Sequence, residues 1–288
     1  MITPQDGHPE LAKDLGLPDL FLKREDLHPL GSHKGRSIPV MIDEYARRGE
    51  KKFSISSSGN AAIAAALYVK EKNKGGAGLS LEIFIGQNIP ESKKTAVVSL
   101  ADKNIKISEK ERPLKALLDA VRLGARSLRQ STDDLALIGY ESLAQELAEI
   151  PNLSAVFIAT SSGTTAESLG GFFLARKNPP QIHIVQTSSC HPMAVIFDER
   201  KDLEEKSAAN AIADKVAHRR EKVMAVVSAT KGFGWIVSNE EIKAAQEKLA
   251  PFGVVTTPNG ALSLAGLVRA LSAGRKFSGS VVCIIGGK

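Results

Sequence analysis

The chain has 288 residues, 43% hydrophobic and 24% charged, ordinary globular usage that excludes collagen-like, low-complexity and disordered classes and suits two adjoining α/β lobes. Lys and Arg number 38 against 32 Asp and Glu, a net +6; basic runs such as His218-Arg219-Arg220-Glu221-Lys222 contain acids and aromatic residues are only 5%, which argues against nucleic acid and suits a small anionic cofactor or substrate. The longest apolar stretch, Ala61 to Val69, is far short of the roughly 20 residues of a membrane span, Met1-Ile2-Thr3-Pro4 opens no secretory leader, and Cys190 and Cys283 lack metal-ligand spacing, so a cytoplasmic protein with no membrane contact, no metal and reduced thiols is expected.

In chain order, an apolar strand at Leu20–Leu22 leads through turns at Pro29 and Gly31 to a helix opening near Lys34. A strand at Phe53–Ile55 precedes a helix after Gly59, and a strand at Leu81–Ile85 precedes helices after Glu91 and Pro113. The latter carries Leu114, Leu117, Leu118 and Val121 at helical spacing. Turns at Gly75–Gly78 and Gln130–Asp134 punctuate this half. Beyond them come a helix after Ile138, a strand at Ala155–Ala159 with a helix after Thr164, and a strand at Ile182–Gln186 with a helix after Cys190. A strand at Met224–Val227, helices after Asn239 and Pro258, and a strand at Val281–Ile285 complete the series. Strand-helix alternation of this kind predicts an α/β fold with open, mainly parallel sheets flanked by helices.

Ligands of such sheets sit where strands hand over to helices, because helix starts present unpaired N–H groups and partial positive charge. Three junctions carry chemistry-bearing residues. At Lys23–Ser37, a lysine at a helix start lies at the positive end of the helix dipole, which disfavours its charged form and favours attack on an aldehyde; the plainer reading is a solvated lysine behind a Ser32 cap. At Ser56-Ser57-Ser58-Gly59-Asn60-Ala61-Ala62, small residues admit a flat ligand and the Asn60 amide offers a donor; alone, this reads equally as a capped helix. At Ala159-Thr160-Ser161-Ser162-Gly163-Thr164-Thr165, hydroxyls and N–H groups suit a phosphate, as they suit an ordinary cap.

In that order, the three junctions resemble the fold-type II pyridoxal-phosphate enzymes, the tryptophan synthase β superfamily that includes threonine synthase and the serine/threonine dehydratases. Lys23-x-Glu25 with Pro29-x-Gly31-Ser32-x-Lys34-x-Arg36 is similar to that family's lysine motif, and Ser58-Gly59-Asn60 to its asparagine loop. The likeness runs nearly end to end, through Gly139–Glu146, Val185–Pro192, Val237–Ile242 and Pro258–Ala261, and these later segments are nearest threonine synthase. The resemblance implies that Lys34 is catalytic and holds pyridoxal 5'-phosphate as a Schiff base. It implies that Asn60 meets the cofactor's phenolic oxygen, that Ser161, Ser162, Gly163, Thr164 and Thr165 hold its phosphate, and that Gly286 faces the pyridine nitrogen. The substrate carboxylate falls to Ser57, Ser58, Gly59 and Asn60. The chain departs from the pattern at His33, at Gly35, at Ala61-Ala62, where hydroxyls are usual in the synthases, and at Gly286, where a serine or threonine is usual.

Residues 1–41 with 132–288 are expected to form a large cofactor-binding domain, residues 42–131 a smaller inserted α/β domain, and the cofactor to lie in the cleft between them. The implied reaction is a lyase step of amino-acid biosynthesis, O-phosphohomoserine to threonine and phosphate; serine/threonine dehydration and a catalytically degenerate homologue are the alternatives. The expected partners are a small amino acid, with Arg36, Lys231 and Ser32 as candidate anchors for a substrate phosphate, and a second copy of the chain in a homodimer. His28, His33 and His191 read as turn, packing or cleft-lining residues.

Overall fold

The fold is described from a computed structural model, over residues 2–287. In chain order the elements are β1 (Gln5–Gly7), α1 (Pro9–Asp14), β2 (Asp19–Lys23), α2 (Lys34–Arg47), β3 (Lys52–Ser56), α3 (Asn60–Lys74), β4 (Ser80–Gly86), α4 (Glu91–Val98), β5 (Ile105–Lys110), α5 (Pro113–Arg122), β6 (Arg126–Ser127) and α6 (Leu135–Gly139). Then follow α7 (Glu141–Ala148), β7 (Leu153–Ala159), α8 (Thr164–Leu174), β8 (Gln181–Thr187), α9 (Arg220–Ala229), β9 (Phe233–Val237), α10 (Asn239–Leu249), α11 (Pro258–Ser272) and β10 (Ser280–Ile284). Among the described residues no helix is long and apolar enough to cross a membrane.

The chain divides into two compact units. Residues 1–28 with 140–288 build one around a six-stranded sheet of order β1-β2-β10-β7-β8-β9, parallel except for β1. Its central strands are apolar on both faces, as parallel strands covered by helices must be. Val281 and Cys283 of β10 and Ala155 and Phe157 of β7 join α1, α10 and α11 in one core, while Val282, Ile284, Val156 and Ile158 join α7, α8 and α9 in another. Residues 29–139 build the second unit around an all-parallel sheet of order β5-β4-β3-β6. Phe53, Ile55, Leu81, Ile83 and Ile105 of its strands pack with Ile38, Met41 and Ile42 of α2 and the alanines of α3. Phe84, alternating with Ile83 and Ile85, points to the other face, where α5 lies across β3 and β4.

Two local expectations are corrected. Met224–Val227 is helical, the middle of α9: Val223, Val226 and Val227 are buried while Ala225 is exposed, a 3.6-residue period inside an apolar run. The strand of that region is β9, and β1, β5 and β6 were likewise not anticipated. No α-helix follows Cys190. The Gln186 side chain accepts the N–H groups of Met193 and Ala194, both at 2.9 Å, and this closes a turn that ends in a single 3₁₀ segment, Ala194–Ile196. In the 29–139 unit, α2 packs with both α3 and α6.

Candidate active site

In the 29–139 unit, the turn before α2 depends on Gly31, whose φ of +86° is costly for any residue with a Cβ. A Cβ there would lie 3.6 Å from Ile63, so the lysine turn packs on the first turn of α3, the helix that the asparagine loop opens. Lys34 is the first residue of α2, and its N–H donates to the hydroxyl of the fully buried Ser32 at 3.2 Å. The Lys34 side chain is half-buried and makes no hydrogen bond or ion pair among the described residues. Two contacts seat this turn: Gln130 donates to the Ser37 hydroxyl, and the Gly139 backbone lies directly on Arg36 and Ser37. The neighbouring Ser56–Gly59 loop leaves β3 at its carboxyl end; Ser57 accepts the Gly59 N–H at 3.3 Å, and Gly59 caps α3. Asn60 and Ser58 are half-buried with no side-chain partner among the described residues. Ala62 is fully buried in the core, so of the Ala61-Ala62 pair only position 61 is open to a ligand.

The other lysine of the motif has a different fate. Lys23, in the six-stranded unit, is fully buried, ion-paired with Glu146, and donates to the Thr3 carbonyl at 2.9 Å. Glu25 is equally buried and accepts the Thr3 hydroxyl at 2.5 Å.

In that same unit β7 delivers Thr160 to Gly163 to the start of α8. The Thr160 N–H bonds to the Val185 carbonyl at 2.9 Å and its carbonyl accepts from Gln186 at 3.1 Å, so β8 fixes the loop from both sides. Gly163 caps α8 with a φ of +84°, and a Cβ there would meet Val223 at 2.7 Å. Only from Glu167, bonded to the Gly163 carbonyl at 2.9 Å, do N–H groups turn back into the helix, and the earlier ones point out of its start. The Ser162 and Thr164 hydroxyls share a hydrogen bond of 2.9 Å, while Thr165 is buried. Ser161 does something the sequence did not reveal: its hydroxyl oxygen accepts the Ala213 and Asp214 N–H groups at 3.2 and 3.3 Å, anchoring the irregular strap before α9. The strap is tied again where Ala208 and Ala211 donate to Asn239 and Asn259. Ile284 pairs with Ile158, so Gly286, two residues later, lies at the carboxyl edge from which Thr160–Gly163 emerges.

Of the candidate phosphate anchors, Lys231 is excluded from this edge. It is exposed before the amino end of β9, which runs parallel to β8 and β7, and so sits at the opposite end of the sheet. Ser32 and Arg36 are buried, and the Ser32 hydroxyl supports the lysine turn. His191 donates from Nδ1 to the Thr187 carbonyl at 3.1 Å, a structural bond.

A family model described as pyridoxal-phosphate dependent enzyme matches residues 2–287. The chain is 27% identical over 300 residues to the threonine synthase of Halalkalibacterium halodurans, an overlap covering 99% of this chain and 81% of that protein. It is 27% identical over 277 residues to the biosynthetic L-threonine dehydratase of Haemophilus influenzae, covering 92% of this chain and 52% of that one. In fold it is similar to the processed threonine deaminase isoform 2 of Solanum lycopersicum, with a TM-score of 0.80, 20% identity, and coverage of 99% and 83% of the two chains.

Proposed function

The chain belongs to the pyridoxal-phosphate dependent enzyme family, and from that membership we propose that it converts O-phosphohomoserine to threonine and phosphate. It is a pyridoxal-phosphate-dependent lyase; the substrate is the inferred part.

The residues present fit the cofactor. A half-buried lysine amine at a helix start and a half-buried asparagine amide at the start of the helix packed on the lysine turn, both without a side-chain partner among the described residues, are what an aldehyde and its phenolic oxygen require; the likeness to threonine synthase carries the substrate. Pyridoxal phosphate supplies an electron sink for the amino acid's Cα when bound. Lys34 would hold the cofactor through its Nζ, and the same amine would take the substrate's Cα proton and return it. Asn60 orients the ring by donating from its amide, and the first N–H groups of α3, with Ser57 and Ser58, receive the substrate carboxylate. The start of α8, with Ser162, Gly163, Thr164 and Thr165, holds the cofactor phosphate. Ser161 keeps its hydroxyl proton for that phosphate while its oxygen holds the strap. Gly286 brings no side chain to the ring nitrogen.

The threonine synthase likeness over 99% of the chain supports the synthase reading. Ala61, with no hydroxyl at the open position of the asparagine loop, favours serine/threonine dehydration as the second. Separate assays with O-phosphohomoserine and with serine distinguish them. Equimolar phosphate and threonine from the first is the expected result; pyruvate from serine with no phosphate released from the first substrate would transfer the assignment to the dehydratase.

A further inference from the structure

We propose that an open groove on the 29–139 unit docks an acidic amphipathic helix contributed by a partner polypeptide. The inference is independent of the substrate assigned above.

Charge is the first observation. Residues 29–139 contain 19 Lys and Arg against 12 Asp and Glu, a net of +7, whereas the remainder has 19 against 20, a net of −1. The whole positive excess of the chain therefore sits on one unit. An anionic cofactor or substrate explains a few cations at its own site, not a net excess of seven.

The second observation is the place where those cations gather. Among the described residues, α5 is the helix that packs on the Phe84 face of β3, β4 and β5, and a groove of about 840 Å³ lies between it and these strands. Its floor includes Phe84, and the α5 wall presents Ala116, Ala120 and Leu123, the last of them 86% exposed. Ala116 and Ala120, one turn apart and small, allow another helix to approach α5 to the usual 8–10 Å of packed helices. Small-molecule pockets enclose most of their ligand. This groove is open to solvent and takes the place that a second helix would fill on a sheet face of this kind.

The third observation is the state of the lining charges. Lys52, Lys103, Lys110, Arg112 and Lys115 make no ion pair or side-chain hydrogen bond among the described residues. They form two groups: Lys110, Arg112 and Lys115 where β5 hands over to α5, and Lys52 and Lys103 at the amino ends of β3 and β5. The strand between them, Ile105–Lys110, spans about 20 Å, the length of a helix of roughly 14 residues. Acids in the lining are mostly spent within the unit, since Glu82 pairs with Lys106 at 3.3 Å and Asp119 with Arg122 at 3.1 Å. A partner with carboxylates toward both ends and apolar residues against Ala116, Ala120 and Leu123 complements this lining. A second copy of the same positive face does not, and single-stranded nucleic acid would lack exposed aromatic rings to stack on.

The experiment uses the cofactor-loaded protein and a fluorescein-labelled helical peptide of 14 residues, with leucines at i, i+3, i+4 and i+7 spacing and glutamates elsewhere, followed by anisotropy. Saturable binding of one peptide per chain is expected. It should weaken at least tenfold in Lys110→Glu/Lys115→Glu, and strongly between 50 and 300 mM salt, while the cofactor absorbance and melting temperature of that variant stay as in the wild type. Absence of binding, equal binding of the lysine-for-glutamate peptide, or binding insensitive to the double substitution would overturn the proposal. So would an oligonucleotide of equal charge bound as tightly with the same sensitivity, or sedimentation showing a dimer that the double substitution dissociates.

Discussion

Two lysines eleven residues apart show how environment gives one residue type two roles. Lys23 ends β2 inside the sheet, where burial without a counter-charge would be prohibitive, and Glu146 with the Thr3 carbonyl meets that demand. Lys34 opens a helix after a glycine turn and keeps its amine free for chemistry. Borohydride reduction of the cofactor-loaded protein followed by peptide mapping should label Lys34 and no other lysine. The same contrast should appear in stability. In the cofactor-free protein, Lys34→Ala removes a half-buried side chain with no partner among the described residues and should shift unfolding in urea by no more than about 0.5 kcal/mol. Lys23→Ala removes a fully buried ammonium together with its ion pair to Glu146 and its bond to the Thr3 carbonyl, and should cost about 3 kcal/mol. Equal effects of the two substitutions, or label on Lys23, would reverse the assignment.

At the scale of elements, the helix that carries Lys34 is held by a segment distant in sequence. A Cβ on Gly139 would fall 2.3 Å from the Ser37 Cα and 2.5 Å from the Arg36 carbonyl oxygen, so α6 and α2 meet backbone to backbone where no side chain can yield. Gly139→Ala must therefore part the helices. We expect a loss of about 3 kcal/mol, at the upper end of overpacking costs, together with weaker retention of the cofactor measured by dialysis and absorbance. Gly171→Ala, in α8 with nothing within 4 Å of the added carbon, serves as control and should stabilise by up to about 1 kcal/mol. Cofactor retention unchanged in Gly139→Ala would show that α6 does not position the lysine turn. The Gly139–Glu146 stretch was visible in the sequence only as a likeness; the close approach that requires a glycine there was not. The same limit explains α9, since Val223, Met224, Val226 and Val227 form an apolar run that suits a strand until the exposure of Ala225 reveals its period.

At the scale of the molecule, the six-stranded unit contains a pH-sensitive element outside the candidate site. His183 of β8 stacks on Phe157 with ring centroids 4.4 Å apart, accepts the Trp235 indole N–H at Nδ1 (3.1 Å), and so donates from Nε2 to the Gln181 side chain. Burial, reinforced by the nearby Arg275, pushes its pKa down to about 3. The unfolded chain takes up this proton near pH 6.5 and the native protein only near pH 3, so stability is complete above 6.5 and falls as pH decreases through that window. The slope from this one group is about 1.4 kcal/mol per pH unit. Urea unfolding at pH 7 and 5.5 should show the decline, and His183→Asn, which keeps an acceptor for Trp235, should flatten it by that amount. An unchanged slope in the variant would remove His183 as the cause.

Sequence by itself determined the α/β class, most strands and helices, and the order of the lysine, asparagine and phosphate-type junctions. These are local properties: strands buried on both faces read as apolar runs, and strand-to-helix turns are written in glycine, serine and proline. It singled out Lys34 but gave Lys23 no partner, counted Ser161 only as a phosphate contact, offered Lys231 as an anchor, and left Gly139 without a reason for its glycine. Those matters depend on contacts between residues remote in the chain. Glu146 reaching Lys23, Ala213 and Asp214 reaching Ser161, Gly139 lying on Ser37, and the parallel direction of β9 that carries Lys231 to the opposite end of the sheet are fixed only when the strands take their order and the helices close on them.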